Sequence, residues 1–305
     1  MFQTISIIGL GALGILFGKP LLDNLPAGDL RIIADHHRTQ RYTANPPTIN
    51  GAPCPFSYIV PGADVPPADL VIVAVKSTGL EQAMVDMASQ VDEHTVIISL
   101  LNGISSEELL ETRWPGQVLY SVSLAMDAQR VGQDVVYTKA GFLQFGEKNG
   151  EISHRVTALA NFFTENNFPH QVCQDIRFHQ WNKWMLNVGC NQVCAVFRVP
   201  YRDLGLETKA KSTMLSAMDE VVAIAAACGV QLTQAHIAKW QEILASLSPD
   251  GLPSMAQDVV AHRKTEVGIF GGTACALGKK HNIPTPTNDF LVAEIAKIEA
   301  TFSMQ

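Results

Sequence analysis

The glycine-rich turn GLGALG at residues 9–14 constrains the fold more than any other feature of the chain. An apolar strand is predicted directly before this turn, at residues 5–8, and an apolar helix directly after it. The next predicted strand ends on Asp35, about 20 residues further along, where dinucleotide-binding βαβ units carry an acidic residue. This context predicts a dinucleotide site, against the simpler alternative of a glycine-tolerant turn in an ordinary α/β domain.

Each glycine of the turn has a separate expected role. Gly9 permits the tight turn, Gly11 lets the pyrophosphate approach the backbone, and Gly14 lets the helix pack close to the strand. Ala12 and Leu13 begin the helix, where free N–H groups and the helix dipole favour anions. The phosphates of the cofactor are therefore expected at this helix N-terminus.

Strand and helix signals alternate through the first part of the chain and then give way to helical signals alone. This order predicts an α/β Rossmann-type dinucleotide-binding domain over residues 1–175, followed by an all-helical substrate and catalytic domain over residues 176–305. The predicted helices of the second domain lie at 177–196, 207–228, 234–247, 254–281 and 287–302.

Three local patterns make predictions that a structure can test. Pro20 falls inside the helix after the glycine turn and is expected to kink that helix or end it early. Thr78 and Ser105 each stand three residues before a glutamate, which predicts capping boxes at the starts of two helices. Segments 135–138 and 142–145 are predicted strands, and a hairpin is one arrangement open to them.

The composition narrows the class of function. With 305 residues, of which 47% are hydrophobic and 17% charged, the chain can bury two sizeable cores. A net charge of −7 without a lysine or arginine block argues against nucleic acid or an anionic membrane as the main partner. The apolar segment 5–22 contains four glycines and no preceding positive charge, so neither a signal peptide nor a membrane segment is expected there.

The cysteines and histidines give no sign of a metal site. The six cysteines include no CxxC pair, and the nine histidines include no HxxH or HExxH pattern. Cys190 and Cys194 are four residues apart on a predicted helix but have no matching Cys or His pair nearby. Scattered thiols of this kind suit a reducing compartment, so a cytoplasmic location is expected.

A polar stripe interrupts the apolar run WNKWMLNVGCN at residues 181–191. Lys183, Asn187 and Asn191 recur every four residues, so on a regular helix each lies about 40° round from the one before. Exposed helix faces usually carry mixtures of Glu, Lys and Arg, whereas asparagine is a poor helix former that tends to need a hydrogen-bond partner. The pattern favours a stripe that faces a ligand over an ordinary solvated face.

The sequence resembles the ketopantoate reductase (2-dehydropantoate 2-reductase) family over essentially its whole length. The motifs in the family's order are GLGALG at 9–14, VAVKS at 73–77, LNG at 101–103, WxKxxxNxxxN at 181–191, PSMAQD at 253–258 and RKTE at 263–266. The resemblance implies that hydride passes from a reduced nicotinamide to the C2 carbonyl of a 2-oxo acid, and that a proton passes to the resulting alkoxide. Reduction of 2-dehydropantoate to D-pantoate, in pantothenate biosynthesis, is the leading reaction.

The resemblance also implies roles for single residues. Lys183 is the expected proton donor, and desolvation can lower the pKa of a half-buried lysine enough for it to release a proton. Asn187, Asn191 and Ser254 are expected to bind polar groups of the substrate. Glu266 is expected to contact the substrate or Lys183.

Ser254 and Glu266 each have a structural alternative. Ser254 with Gln257 fits a helix capping box, and Glu266 could pair with Arg263 one turn earlier. On one straight helix Ser254 and Glu266 would lie about 18 Å apart. Both can therefore reach one small acid only if the helix is broken between them, or if Ser254 precedes it.

The cofactor is expected to be NADP(H), with NAD(H) as an open alternative. Lys76 and Asn102 each follow a buried strand and are expected to line the cofactor and substrate cleft. Asp35 could accept hydrogen bonds from the ribose of NAD(H) and repel a 2′-phosphate, or it could cap the following loop. Arg38 could clamp the 2′-phosphate of NADP(H) bidentately. The resemblance places NADPH ahead.

Two other functions stay open from the sequence. One is an NADH-dependent D-2-hydroxy acid dehydrogenase of the same family, and the other is a non-catalytic dinucleotide-binding regulator. The lysine and asparagines of the stripe favour an enzyme, because a regulator has no need of a proton donor. The expected partner is a small 2-oxo acid, and the expected assembly is a monomer or homodimer.

Overall fold

The computed structural model describes residues 2–302, which form two compact units divided between Arg177 and Phe178. The first unit is an α/β domain, and the predicted Rossmann-type class is confirmed. Its strands are β1 (Ile5–Ile8), β2 (Leu30–Ile33), β3 (Thr48–Ile49), β4 (Ala52–Pro53), β5 (Ser57–Ile59), β6 (Leu70–Val73), β7 (Val96–Ser99), β8 (Val118–Met126), β9 (Gln129–Val131), β10 (Asp134–Val136), β11 (Ala140–Gly146) and β12 (His170–Val172). Its helices are α1 (Ala12–Asn24), α2 (His36–Ala44), α3 (Leu80–Asp86), α4 (Ser106–Arg113) and α5 (His154–Glu165).

The strands form one large sheet and one small sheet. The large sheet has the order β12-β11-β8-β7-β6-β1-β2-β5, and all its neighbours are parallel except β8 with β11. The small sheet has the order β4-β3-β10-β9. Strands β1, β2, β6 and β7 are buried at every position, as expected for parallel strands covered on both faces. The chain therefore crosses over at β1, where doubly wound sheets bind ligands.

Helix α1 continues through Pro20 to Asn24, so the predicted early end at Pro20 is wrong, while the kink stays a prediction. A proline removes one ladder hydrogen bond, but the helix keeps its buried face, which includes Ile15, Phe17 and Leu21. The side-chain amide of Asn24 also donates to the carbonyl oxygen of Pro20 at 2.8 Å. Packing against the core and this extra bond hold the last turn together.

The hairpin between residues 135–138 and 142–145 is also wrong. Strand β10 pairs with β9 and β3 in the small sheet, whereas β11 pairs with β8 and β12 in the large one. The side chain of Asp127 explains the separation, because it accepts hydrogen bonds from the backbone N–H groups of Thr138 (2.9 Å) and Lys139 (2.8 Å). These bonds hold the connection between β10 and β11 in a turn that leads away from β10.

Neither predicted capping box forms, although both helices exist. Thr78 lies within a 3₁₀ turn, Ser77–Gly79, and α3 begins after Gly79. Ser105 precedes α4 but has helical backbone angles and makes no side-chain cap. A capping serine or threonine needs an extended conformation before the helix, and neither residue has one.

The second unit contains only helical elements within its described residues, 178–302. Its helices are α6 (Ile176–Leu186, which begins in the first unit), α7 (Gln192–Phe197), α8 (Tyr201–Gly205), α9 (Lys209–Ala227), α10 (Gln234–Ala245), α11 (Ser254–Val260), α12 (Gly271–His281) and α13 (Pro286–Ala300). A π-helical segment, Asn187–Asn191, joins α6 to α7, and a 3₁₀ turn, Val267–Ile269, precedes α12. The predicted continuous helices 177–196 and 254–281 are therefore both interrupted. Among residues 2–302, no helix is long and apolar enough to span a membrane.

Candidate active site and cofactor site

Two glycines of the turn after β1 have no room for a side chain. Gly9 has φ +101°, and a Cβ on it would lie 2.7 Å from the carbonyl carbon and oxygen of Ala74. A Cβ on Gly14 would lie 2.0 Å from the carbonyl oxygen of Gly9. The first glycine therefore allows the turn and the second allows α1 to lie against β1, as the sequence predicts for each.

Gly11 differs from the other two because a Cβ on it would only reach 3.8 Å from the Ala74 oxygen. It lies directly before α1, whose first turn, beginning with Ala12 and Leu13, carries no acidic residue. Its lack of a side chain is therefore not required by the fold itself. An anion could approach the free backbone N–H groups at this point, so the geometry suits a pyrophosphate.

Asp35 follows β2 and serves as the N-cap of α2. Its Oδ1 accepts a hydrogen bond from the Arg38 backbone N–H at 2.7 Å, and its Oδ2 lies 3.5 Å from the Arg38 Nε. The sequence analysis leaves open that this carboxylate caps the following loop. It does form a cap, but at the start of a helix. Arg38, His36 and His37 are all exposed on this first turn of α2.

Lys76 and Asn102 follow the carboxyl ends of neighbouring parallel strands. Lys76 comes after β6 and is exposed, while Asn102 comes after β7 and is half-buried. Since β1, β6 and β7 are adjacent and parallel, both residues lie at the same edge of the sheet as the glycine turn. Three segments identified from the sequence are therefore brought together within the first unit.

A buried carboxylate near Asn102 was not predicted from the sequence. Glu107, only 1% exposed, accepts hydrogen bonds from the Ser106 hydroxyl at 2.8 Å and the Ser121 backbone N–H at 3.4 Å. Ser106 lies 2.9 Å from the Ser99 hydroxyl, which accepts from the backbone N–H of Leu101, next to Asn102. This network links the Asn102 loop to the core. Serines scattered over three elements carry no sequence pattern that could have revealed it.

Lys183 lies on α6 and is half-buried. Burial lowers the pKa of Lys183 from its ordinary value of 10.5 to about 8, while the negative charge of Glu266 acts in the opposite direction. The two residues named from the sequence as catalytic therefore interact electrostatically. An amine with a pKa near neutrality can hold a proton before reaction and lose it during reaction, which a general acid requires.

Asn187 and Asn191 begin and end the π-helical segment and are only 9% and 7% exposed. Within residues 2–302 neither side-chain amide has a hydrogen-bond partner. The alternative that these residues form a solvated helix face is therefore wrong. The regular rotation of about 40° from one residue of the stripe to the next is also wrong, because the segment is π-helical. Gly189, within the same segment, packs closely on α9, because a Cβ there would lie 2.5 Å from Cγ of Met218. Buried amides without internal partners suit a polar ligand.

The helix is interrupted between Ser254 and Glu266. Such an interruption is required if both side chains are to reach one small acid. Helix α11 ends at Val260, and His262 has φ +50° in the following turn. Glu266 then stands directly before the 3₁₀ turn Val267–Ile269.

Two contacts of neighbouring residues bear on the expected role of Glu266. Trp184, the residue after Lys183, donates from Nε1 to the Ile269 carbonyl oxygen at 2.8 Å. Arg263, the alternative partner of Glu266, instead donates a hydrogen bond to Asp258 at 2.8 Å.

Ser254 is the first residue of α11, and its side chain is exposed and caps nothing. The side-chain amide of Gln257 donates to the Leu252 carbonyl oxygen at 2.8 Å, so the alternative of a capping box is wrong here. Helix α11 packs against α7 and the π-helical segment. The serine thus lies on an element next to the stripe, and its expected contact with substrate stays a prediction.

Neither a candidate metal cluster nor a reactive thiol at Cys190 is found among residues 2–302. Among residues 2–302, no group of three or more His, Cys, Asp or Glu side chains could hold a metal ion. A hydrogen bond with Cys194, together with burial, raises the pKa of Cys190 well above its ordinary value. This thiol, inside the π-helical segment, therefore stays protonated and unreactive at neutral pH.

Comparison with known proteins places the chain in a family. The family model described as ketopantoate reductase PanE/ApbA matches residues 5–150, and its C-terminal counterpart matches residues 175–299. The 2-dehydropantoate 2-reductase of Lactococcus lactis is 26% identical over 95% of this chain and 96% of that protein. The enzyme of the same name from Archaeoglobus fulgidus is 24% identical over 98% of each chain.

Solved structures agree with this assignment. The ketopantoate reductase of Ralstonia eutropha JMP134 is 25% identical, with a TM-score of 0.86 over 98% of this chain and 99% of that one. D-mandelate dehydrogenase, in a ternary structure with NADH and anilino(oxo)acetate, has the same fold at 23% identity, with a TM-score of 0.89 over 98% and 99% of the chains. Because the two family models together span nearly the whole sequence, the chain belongs to the ketopantoate reductase family of nicotinamide-dinucleotide-dependent oxidoreductases.

Proposed function

We propose that this protein reduces a 2-oxo acid to the corresponding 2-hydroxy acid with NADPH, and that its substrate is 2-dehydropantoate. The observation that carries the proposal is Lys183, whose pKa is lowered to about 8 by burial and which interacts with Glu266. A structural lysine gains nothing from such a shift, whereas a general acid works best with a pKa near the working pH. The curated relatives named 2-dehydropantoate 2-reductase support the choice of substrate.

Each site residue has a separate role in the proposed reaction. Reduced nicotinamide supplies the hydride to the C2 carbonyl carbon of the substrate. Lys183 donates a proton from Nζ to the oxygen, which would otherwise become an alkoxide. Glu266 keeps Lys183 protonated in the resting state, because a nearby carboxylate favours the charged ammonium. Asn187, Asn191 and Ser254 donate hydrogen bonds to the carboxylate and hydroxyl groups of the substrate.

Asn187→Ala and Asn191→Ala are each expected to raise the KM for the 2-oxo acid more than they change the affinity for NADPH. Each substitution removes a hydrogen bond worth about 1 kcal/mol, or leaves a buried partner group unpaired at about 1–3 kcal/mol. Steady-state kinetics together with cofactor titration separate the two effects. If both variants keep wild-type substrate kinetics, the asparagines have no part in substrate binding.

Glu266→Gln is expected to move the alkaline limb of the kcat profile to lower pH without unfolding the protein. Removing the carboxylate removes the influence that raises the pKa of Lys183, so Lys183 loses its proton earlier as the pH rises. The measurement is kcat against pH for both proteins, with melting temperature as the control. An unchanged profile, or loss of the fold, would give Glu266 a structural role only.

For the cofactor, the proposal favours NADPH. The Asp35 carboxylate accepts from the α2 backbone and lies close to Arg38, which offsets its negative charge. Arg38 is exposed and can turn toward a 2′-phosphate. Arg38→Ala is therefore expected to lower kcat/KM with NADPH and to spare NADH. A wild-type preference for NADH, relaxed by Asp35→Ala and unaffected by Arg38→Ala, would reverse the assignment.

One assay tests the whole proposal. Purified protein is incubated with NADPH or NADH and a panel of 2-oxo acids that includes 2-dehydropantoate, an aromatic 2-oxo acid and short aliphatic ones. Oxidation of the cofactor is followed at the reduced-nicotinamide absorbance band. Highest kcat/KM with 2-dehydropantoate supports the proposal. A preference for aromatic 2-oxo acids with NADH supports a D-2-hydroxy acid dehydrogenase, and binding without turnover supports a regulator.

A further inference from the structure

Arg130 connects the small sheet to the glycine turn. It lies on β9, and its Nη1 donates to the carbonyl oxygen of Leu10, the residue between Gly9 and Gly11. Its Nε donates to the carbonyl oxygen of Gly132 at 3.0 Å, which holds the guanidinium in place from the other side. A cationic side chain is thus attached directly to the backbone segment that suits a pyrophosphate.

Packing of the small sheet supports the contact between Arg130 and Leu10. Leu10 is 5% exposed and belongs to the same apolar cluster as Ile49 of β3 and Val135 of β10. Arg130 is directly paired with Val135 in the ladder between β9 and β10. The guanidinium is therefore positioned by a sheet that is itself packed on the glycine turn.

The guanidinium has donors to spare for an anion. Arginine carries five N–H groups, and two of them serve Leu10 and Gly132. Hydrogen bonds to other parts of the described chain, residues 2–302, do not occupy the remaining three. The side chain is half-buried, so solvent screens its charge less than on an open surface.

A cation beside the glycine turn would strengthen the binding of a pyrophosphate there. Its N–H groups and the dipole of α1 offer only partial positive charge, about half an elementary charge at the helix N-terminus. A dinucleotide brings a doubly charged pyrophosphate to a protein whose own net charge is −7. Lys19, further along α1, is engaged with Asp23. The positive charge closest to the turn in sequence is therefore already paired.

We propose that Arg130 is a further cofactor-binding residue, donating charge-assisted hydrogen bonds to the pyrophosphate while it holds the glycine turn through Leu10. The assignment rests on the proposed dinucleotide-dependent function. It gives the small sheet a part in cofactor binding. It also makes a residue far from the glycine motif in sequence, 120 positions from Leu10, part of the phosphate site.

The test compares Arg130→Gln and Arg130→Lys with wild type. Dissociation constants for NADPH and NADH are measured by cofactor fluorescence without substrate, at low and high salt. Arg113→Gln is the matched control, because Arg113 is an exposed arginine on α4 that lies over the Trp114 ring. Adenosine 2′-monophosphate, which lacks the pyrophosphate, is the reference ligand, and the melting temperature reports the fold.

Arg130→Gln is expected to weaken both dinucleotides about tenfold to a hundredfold, and to flatten the salt dependence of their binding. Arg130→Lys keeps the charge and is expected to recover part of the affinity. Adenosine 2′-monophosphate is expected to bind all variants alike. Unchanged dinucleotide binding by Arg130→Gln, or equal losses for both kinds of ligand, would overturn the role of Arg130 alone. A wild-type protein that binds neither dinucleotide would overturn the proposed function as well.

Discussion

Lys183→Ala is expected to lower kcat by about two to four powers of ten, the usual contribution of a general acid–base group. Cofactor affinity should stay nearly unchanged, because the glycine turn, Asp35 and Lys76 belong to the other unit of the chain. Single-turnover and steady-state rates with 2-dehydropantoate measure the loss, and fluorescence titration measures NADPH binding. Near-native turnover in this variant would remove Lys183 from the reaction.

Two further substitutions make the Lys183 test specific. Lys183→Arg retains the positive charge but cannot release a proton, so it should be nearly as inactive as Lys183→Ala. Lys239→Ala removes an exposed lysine that pairs with Glu242 on α10, and it should behave as wild type. An active Lys183→Arg would show that the position supplies charge and not a proton.

The lowered pKa of Lys183 also sets two pH dependences of opposite sign. As pH rises through about 8, Lys183 loses its proton and kcat should fall. In the same range the folded state releases this proton before the unfolded state does, because the unfolded value is near 10.5. This group's contribution to stability therefore rises between about pH 8 and pH 10.5.

Lys183→Met should accordingly melt at a higher temperature than wild type at pH 7, although it is inactive.

Gly14→Ala is expected to damage the fold and cofactor binding together. Its Cβ would lie 2.0 Å from the Gly9 carbonyl oxygen, so α1 has to move away from β1. Overpacking of this kind usually destabilises by about 1–3 kcal/mol, and a rigid backbone neighbour places this case at the upper end. Denaturant unfolding and NADPH titration measure the two losses. A variant that unfolds and binds like wild type would contradict the close approach of helix and turn.

Gly11→Ala is the matched control for Gly14→Ala. Its Cβ would find only the Ala74 carbonyl oxygen, at 3.8 Å, and its φ of −77° is normal for alanine. The variant should therefore unfold as wild type does but bind NADPH less tightly, because the methyl group projects where the pyrophosphate is proposed to lie. Equal NADPH affinity in this variant would place the phosphates elsewhere.

The sequence predicts those parts of the structure that depend on local pattern. The apolar strands, the glycine turn and the change to helices after β12 each follow from residues close together in the chain. The motifs identify Lys183 and Glu266, whereas the helical pattern alone predicts one continuous helix over 254–281. The break between Ser254 and Glu266 follows only from the added requirement that both side chains reach one small acid.

Features that depend on distant contacts were missed. The π-helical segment contains Gly189, which packs closely against Met218, and no local pattern reports that contact. Glu107 accepts a hydrogen bond from the backbone of Ser121 on β8, and Arg130 reaches across 120 positions to Leu10. Asp35 looks alike in sequence whether it binds a ribose or caps α2, so only the structure reveals the cap.

The π-helical segment accommodates one extra residue between Lys183 and α7. Its i→i+5 bonding accommodates one residue more than an α-helical turn. Deleting one residue within Asn187–Asn191 would let the helix revert to regular bonding, with one residue fewer in that turn, so α7 would keep nearly its present orientation relative to Lys183. Such a chain would keep every catalytic side chain and most of its helical content. Relatives aligned here with a one-residue gap would therefore keep the orientation of α7 and differ only in how the side chains of the segment itself are placed.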